Sequence, residues 1–100
     1  MEKRVVVTGI GVVSPVGNNV DAMWESIKAG RHGIAEITRF DLEGHKVTLA
    51  AEVKDFDFGD KRAAKRLDIA DQYALVAARE AVADSGIVSG ENVDPDRFGI

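Results

Sequence analysis

Cysteine is absent from the 100 residues. That excludes a disulfide framework, a thiolate zinc or iron–sulfur site, and a cysteine nucleophile within this stretch. Long apolar runs are missing too: the longest, Val5 to Val7 continuing through Ile10 to Val13, falls far short of a bilayer span, so no membrane is expected. Met1-Glu2-Lys3-Arg4 leads straight into that run with no small-residue cleavage site behind it. No signal peptide is expected, and the expected setting is cytoplasmic. The chain also lacks a strong charge of one sign: 17 acidic and 13 basic residues leave a net charge of −4, which gives no general reason to expect nucleic acid. Internal repeats, low-complexity segments, a serine elbow, a P-loop Lys-Ser/Thr, a histidine beside a nucleophile and a paired-carboxylate motif are all missing. The remaining composition, 45% apolar and 30% charged, is that of an ordinary soluble globular chain of at most one small domain.

Lys3 to Val13 is β-branched and apolar at both parities, with Val5-Val6-Val7-Thr8 passing through Gly9 and Gly11 into Val12-Val13. This pattern suits a central strand covered on both faces. Ser14-Pro15-Val16-Gly17-Asn18 breaks it. Asn19 is placed to cap a helix over Val20 to Ala29, with Asp21 in its first turn, Val20, Trp24 and Ile27 on one face, and Gly30 as its stop. From Arg31 to Phe58 the pattern weakens into loop with one or two short strands, the better being Lys46 to Val53. His32 and His45 fall there, 13 residues apart and without an acidic or cysteine partner at ligand spacing, so they are expected at the surface with no metal role.

Lys61 to Leu67 reads as a short helix. Asp68 to Ser85 reads as a longer one, with Asp68 as N-cap and Gly86 as its stop. At about 100° per residue the apolar side chains cover nearly the whole of this second helix, and its six alanines (70, 74, 77, 78, 81 and 83) permit close approach of neighbouring backbones. Glu80 and Asp84 lie inside the apolar arc and require partners that the sequence does not identify. Arg97 to Ile100 looks like the opening of a second strand. A two-sided strand needs neighbours on its edges, and a nearly all-apolar helix needs something on its far side, so these residues are expected to be the beginning of a larger chain with no complete domain present.

Two stretches invite functional readings. Thr8-Gly9-Ile10-Gly11-Val12-Val13-Ser14 has two glycines of a dinucleotide fingerprint, but the third position is Ser14 before Pro15 and the helix starts only near Asn19. The preferred reading is that Gly9 and Gly11 let neighbouring strands or side chains approach a crowded strand. Lys61-Arg62-Ala63-Ala64-Lys65-Arg66 places four cations in six residues of an acidic chain. On a helix they share one face, at about 0°, 100°, 40° and 140°, opposite Ala63, Ala64 and Leu67. Lys61/Lys65 and Arg62/Arg66 are like-charged pairs one turn apart, and cations near a helix N-terminus oppose its dipole, so stability does not explain the arrangement. Either it is a solvated face partly neutralised by Asp57, Asp60 and Asp68, or it meets a phosphate-bearing or acidic protein surface.

Arg4-Val5-Val6-Val7-Thr8-Gly9-Ile10-Gly11-Val12-Val13-Ser14-Pro15-Val16-Gly17-Asn18 resembles the amino-terminal signature of the β-ketoacyl-acyl-carrier-protein synthases, the condensing enzymes of type II fatty acid synthesis. The resemblance continues in order through Trp24, Gly30, Gly33-Ile34, Val53-Lys54-Asp55-Phe56, the basic segment, Gln72-Tyr73, Ala81, Asp84-Ser85-Gly86 and Arg97-Phe98-Gly99. Ser14-Pro15 and Val53 to Phe56 look more like the synthase II branch than synthase I. The resemblance implies a thiolase-like α/β fold of five layers (αβαβα), of which residues 1–100 are the amino-terminal part of the first half, assembled as a homodimer and using no cofactor. It implies transfer of an acyl chain from acyl carrier protein to a cysteine, followed by decarboxylative condensation with malonyl-carrier protein. The family's cysteine and two histidines lie beyond Ile100, and His32 and His45 match neither, so no catalytic residue is expected here. The residues that carry over are Arg62, Lys65 and Arg66, as the basic grip on the acidic acyl carrier protein. The alternatives are a non-catalytic relative such as a chain-length-factor-like partner subunit and, further off, a nucleotide-binding oxidoreductase. Acyl-chain preference is not legible in these residues.

Overall fold

The computed structural model describes residues 2–100. Helix α1 spans Val20–Lys28, entered through Asn19, whose Oδ1 accepts from the Ala22 N–H at 2.8 Å, and left through Gly30 at a φ of +71°. Both ends fall where capping chemistry places them. Ser26 on this helix is buried, and its Oγ donates to the Val16 carbonyl at 2.6 Å, which ties α1 to the Ser14–Gly17 turn.

Strands β1 (Ile34–Glu36) and β2 (Leu49–Ala51) form an antiparallel pair with Ile34 opposite Ala51 and Glu36 opposite Leu49. The strand expected over Lys46 to Val53 is therefore shorter. Its end has a physical cause. After the Ile37 N–H reaches the Thr48 carbonyl at 2.9 Å, the next two backbone donors, of Thr38 and Arg39, turn to the Glu52 carboxylate at 3.0 and 3.3 Å instead of continuing the ladder.

Helix α2 covers Lys61–Ala64 and helix α3 covers Ile69–Ser85, followed by a 3-10 turn at Pro95–Arg97. α2 ends three residues earlier than expected. Beyond Ala64 the chain tightens into three-residue hydrogen bonds, Arg66 N–H to Ala63 and Leu67 N–H to Ala64, as the like-charged pairs and the unfavourable dipole placement would favour. α3 begins after Asp68, whose side chain makes no capping bond, and stops at Gly86 with a φ of +72°. Phe56 meets the Tyr73 ring edge-on at 4.7 Å, and the Arg79 guanidinium lies 5.0 Å from the centre of the Phe58 ring. Phe58 is the one buried apolar side chain among the described residues.

The expected central strand from Lys3 to Val13 is not formed, and neither is the expected strand opening at Arg97 to Ile100. A strand is defined by a neighbour on its edge, and no second chain segment pairs with either stretch among the described residues. Val5 and Val7 are consequently 95% and 80% exposed.

What holds the first segment is α3. The Ile10 N–H donates to Asp84 Oδ2 at 3.1 Å and the Val12 N–H to Glu80 Oε1 at 2.9 Å. Glu80 Oε2 also accepts from the Val20 N–H at 3.0 Å, one of the unpaired donors at the start of α1. The two carboxylates that lacked identified partners thus join three parts of the chain. Gly9 and Gly11 lie on the Ala81 and Ala77 carbonyl oxygens, where a Cβ would overlap those atoms. The close approach expected of the glycines is present, and the approaching neighbour is a helix backbone rather than a strand. Two residues forward along the segment match four residues back along α3, about 6 Å, so the segment advances about 3 Å per residue and is close to fully extended.

Candidate functional site

The approach to the basic turn is set by backbone capping. Asp57 Oδ1 accepts from the Gly59 N–H at 2.8 Å, and Asp60 Oδ1 accepts from the Arg62 and Ala63 N–H groups, both at 3.0 Å. Both carboxylates are therefore directed into the backbone. Among the described residues, ion pairs occur only between Lys28 and Glu25 and between Arg39 and Glu52. Arg62, Lys65 and Arg66 are all exposed, with no carboxylate within salt-bridge distance. Among the described residues, none of Asp57, Asp60 and Asp68 forms a direct ion pair with these cations.

The three cations do not project from a bare surface. Arg62 and Arg66, with Asp60 and the half-buried Ala63 and Leu67, line an open cleft of about 390 Å3. The far end of the turn is held by Gln72 on α3, whose Nε2 donates to the carbonyls of Ala64 and Leu67, both at 3.1 Å. A helix end presents unpaired carbonyls, and a side-chain amide is a neutral double donor suited to them. Sequence reasoning missed this role. The available signal was a polar residue, Gln72, on the narrow polar strip of α3 one turn after its start.

The other candidates are placed elsewhere. His32 and His45 are both exposed, His32 Nδ1 accepting from the Ile34 N–H at 3.2 Å and His45 packing edge-on against Phe40. Gly9 and Gly11 face carbonyl oxygens of α3, which would repel a pyrophosphate rather than bind it. A second residue missed by sequence reasoning is Glu52, whose carboxylate accepts from the Thr38 N–H and Oγ1, both at 3.0 Å, and from the Arg39 N–H. The Thr38 N–H is the chief cause that holds its carboxyl below the ordinary carboxylate value. The Thr38 hydroxyl and the Arg39 N–H and charge add to it, against partial burial.

A family profile described as "Beta-ketoacyl synthase, N-terminal domain" matches residues 2–100. The chain belongs to the β-ketoacyl synthase family. Its α/β architecture is accordingly thiolase-like, as the sequence implies. Among relatives of this ketoacyl synthase domain, the 3-oxoacyl-[acyl-carrier-protein] synthase 2 of Staphylococcus aureus strain COL is 50% identical over 98% of the chain and 24% of that protein. The protein of the same name from Coxiella burnetii is 45% identical over the whole chain and 25% of that protein. A solved structure of the ishigamide ketosynthase/chain length factor superposes with a TM-score of 0.66 at 40% identity, covering 83% of this chain and 21% of that one. The ketoacyl synthase chain thus spans about a quarter of the length of the curated relatives it matches. No helix among the described residues is long and apolar enough to cross a membrane.

Proposed function

We propose that the protein is a 3-oxoacyl-[acyl-carrier-protein] synthase of the synthase 2 type, and that residues 1–100 form the amino-terminal part of the first half of its thiolase-like fold. The observation that carries this reading is the 45–50% identity to synthases of that name along essentially the whole chain. In the complete protein, a cysteine thiolate outside these residues takes the acyl group from one carrier-protein thioester, releasing the carrier thiol. Malonyl-carrier protein then loses carbon dioxide, and the resulting carbanion attacks the acyl-cysteine thioester. The cysteine leaves as thiolate and the product is a 3-oxoacyl-carrier protein longer by two carbons. Two histidines, also outside these residues, and backbone amides stabilise the developing oxyanions. The complete enzyme works in the cytoplasm as a homodimer.

Within this chain the proposed contribution is recognition. Arg62, Lys65 and Arg66, exposed and without acidic partners, suit the acidic surface of acyl carrier protein, for which complementary charge speeds encounter and fixes orientation. In the full-length enzyme, Lys65→Glu combined with Arg66→Glu is expected to weaken carrier-protein binding at low salt while leaving thermal unfolding unchanged. Unchanged affinity would refute the docking role. A second reading, a chain-length-factor-like partner subunit, is favoured by the likeness to the ishigamide ketosynthase/chain length factor. Condensation assays on the full-length protein separate the two. A synthase forms 3-oxoacyl product and loses that activity when its cysteine is replaced, whereas a partner subunit alone forms none.

A further inference from the structure

The cations that the docking role needs are carried by a segment with little hold on its own shape. α2 is four residues long, far short of the length at which a helix holds by itself, and the like-charged pairs one turn apart oppose it. Lys65 and Arg66 come after its last residue, where the backbone continues by the three-residue bonds from Arg66 to Ala63 and from Leu67 to Ala64. We infer that Gln72 on α3 is a positioning residue for this surface: it fixes the backbone on both sides of Lys65 and Arg66, and so sets the direction in which those two cations meet the carrier protein. The inference rests on the docking role proposed above and adds to it a neutral residue that acts through the charged ones.

Three observations support it. First, Gln72 Nε2 donates to the Ala64 and Leu67 carbonyls, both at 3.1 Å, and these belong to the residues immediately before Lys65 and immediately after Arg66. One planar amide with its two N–H groups on two acceptors fixes those carbonyls relative to each other. Second, Gln72 is half-buried and lies in the first turn of the 17-residue α3, a firmer base than the one-turn α2. Third, the entry to the turn is held separately. Asp60 accepts from the Arg62 and Ala63 N–H groups, and the buried Phe58 ring lies 5.0 Å from the Arg79 guanidinium. With the entry held, the freedom that remains lies between Ala64 and Leu67, which is the stretch Gln72 spans. An amide suits this place because a lysine or arginine could donate to the same carbonyls but would set a further cation beside Lys65 and Arg66. Where the binding arrangement is only fractionally populated, affinity falls by that fraction.

The test uses Gln72→Met in the full-length synthase, which keeps an unbranched side chain of good helix propensity and removes both donors. The Kd for acyl carrier protein and the KM for malonyl-carrier protein are expected to rise about fivefold at low salt with kcat unchanged, the size of a net hydrogen-bond contribution expressed as a loss of the binding-competent population. Partial misfolding would do the opposite, lowering kcat through the active fraction and leaving KM as it was. The same substitution is then made in a Lys65→Ala, Arg66→Ala background, where a residue acting through those two side chains has nothing further to lose and adds no effect. A wild-type Kd and KM, a loss confined to kcat, or a fivefold rise that persists in the double-alanine background overturns the positioning role. If Gln72→Met binds as wild type while the double-alanine enzyme is weakened, positioning alone is refuted; if the double-alanine enzyme also binds as wild type, the docking role fails with it.

Discussion

The two ends of α3 hold neighbouring chain by opposite chemistry. At its start, Gln72 donates to the carbonyls that close α2. Toward its end, Glu80 and Asp84 accept from the N–H groups of Ile10, Val12 and Val20. The difference follows from what each neighbour leaves unpaired: a helix ending offers acceptors and needs a donor, whereas a helix beginning and an unladdered extended segment offer donors and need an acceptor. The consequences for charge also differ. The neutral amide adds no negative charge beside Arg62, Lys65 and Arg66. The carboxylates sit by the apolar first segment, and among the described residues neither is in an ion pair.

The largest expected effect comes from the acceptor end. Glu80→Ala in the full-length protein leaves the Val12 and Val20 donors without their carboxylate and is expected to cost about 2 kcal/mol or more, by analogy with hydrogen bonds to charged groups. Denaturant unfolding measures it, and wild-type stability would mean the clamp is not formed. Glu80→Gln keeps one acceptor and should fall between. The donor end is expected to respond less. Gln72→Glu sets a carboxylate against two carbonyl oxygens and should destabilise by about 1 kcal/mol, whereas Gln72→Lys keeps a donor and should be milder. A Glu variant as stable as the Lys variant would break the contrast between the two ends.

The smallest effect concerns Glu52, another carboxylate gathering backbone donors. Its folded-state pKa is lowered, so its contribution is complete above the unfolded carboxylate range and fades as pH falls through the lower folded value. A carboxyl-carbon NMR titration of Glu52 should give a midpoint below that of ordinary exposed glutamates. An ordinary midpoint would show that the Thr38 contacts are not held in solution.

Helix ends were legible because they depend on single residues: Asn19, Gly30 and Gly86 act as their types require. The basic turn was legible as a face, though its length was not, because the repulsion between like-charged pairs could be named but not weighed against capping by Asp60. Strands were least legible. Val5 to Val13 has the composition of a buried strand, but composition cannot supply a neighbouring edge, and in these 100 residues α3 takes that place on one side. Glu80 and Asp84 were marked as needing partners. The partners proved to be main-chain groups, which carry no signature in sequence because every residue has them. Gln72 was hidden for the converse reason, since its targets are carbonyls that exist only once α2 has ended.

The two contacts between residues 10–12 and the 80–84 stretch act like a vernier. Two extended residues measure about 6.6 Å and four helical ones about 6 Å, so the scales drift by roughly half an ångström per step and stay in phase for only a few rungs. Gly9 and Gly11 fall where the scales coincide, which is why the backbones can touch there. A single inserted residue between Ile10 and Val12 would turn one donor away from its carboxylate and set a side chain against the Ala77 or Ala81 carbonyl. The alignment of the opening segment is thereby set by a length match between two kinds of backbone, independent of any contact made by Val5, Val6 or Val7.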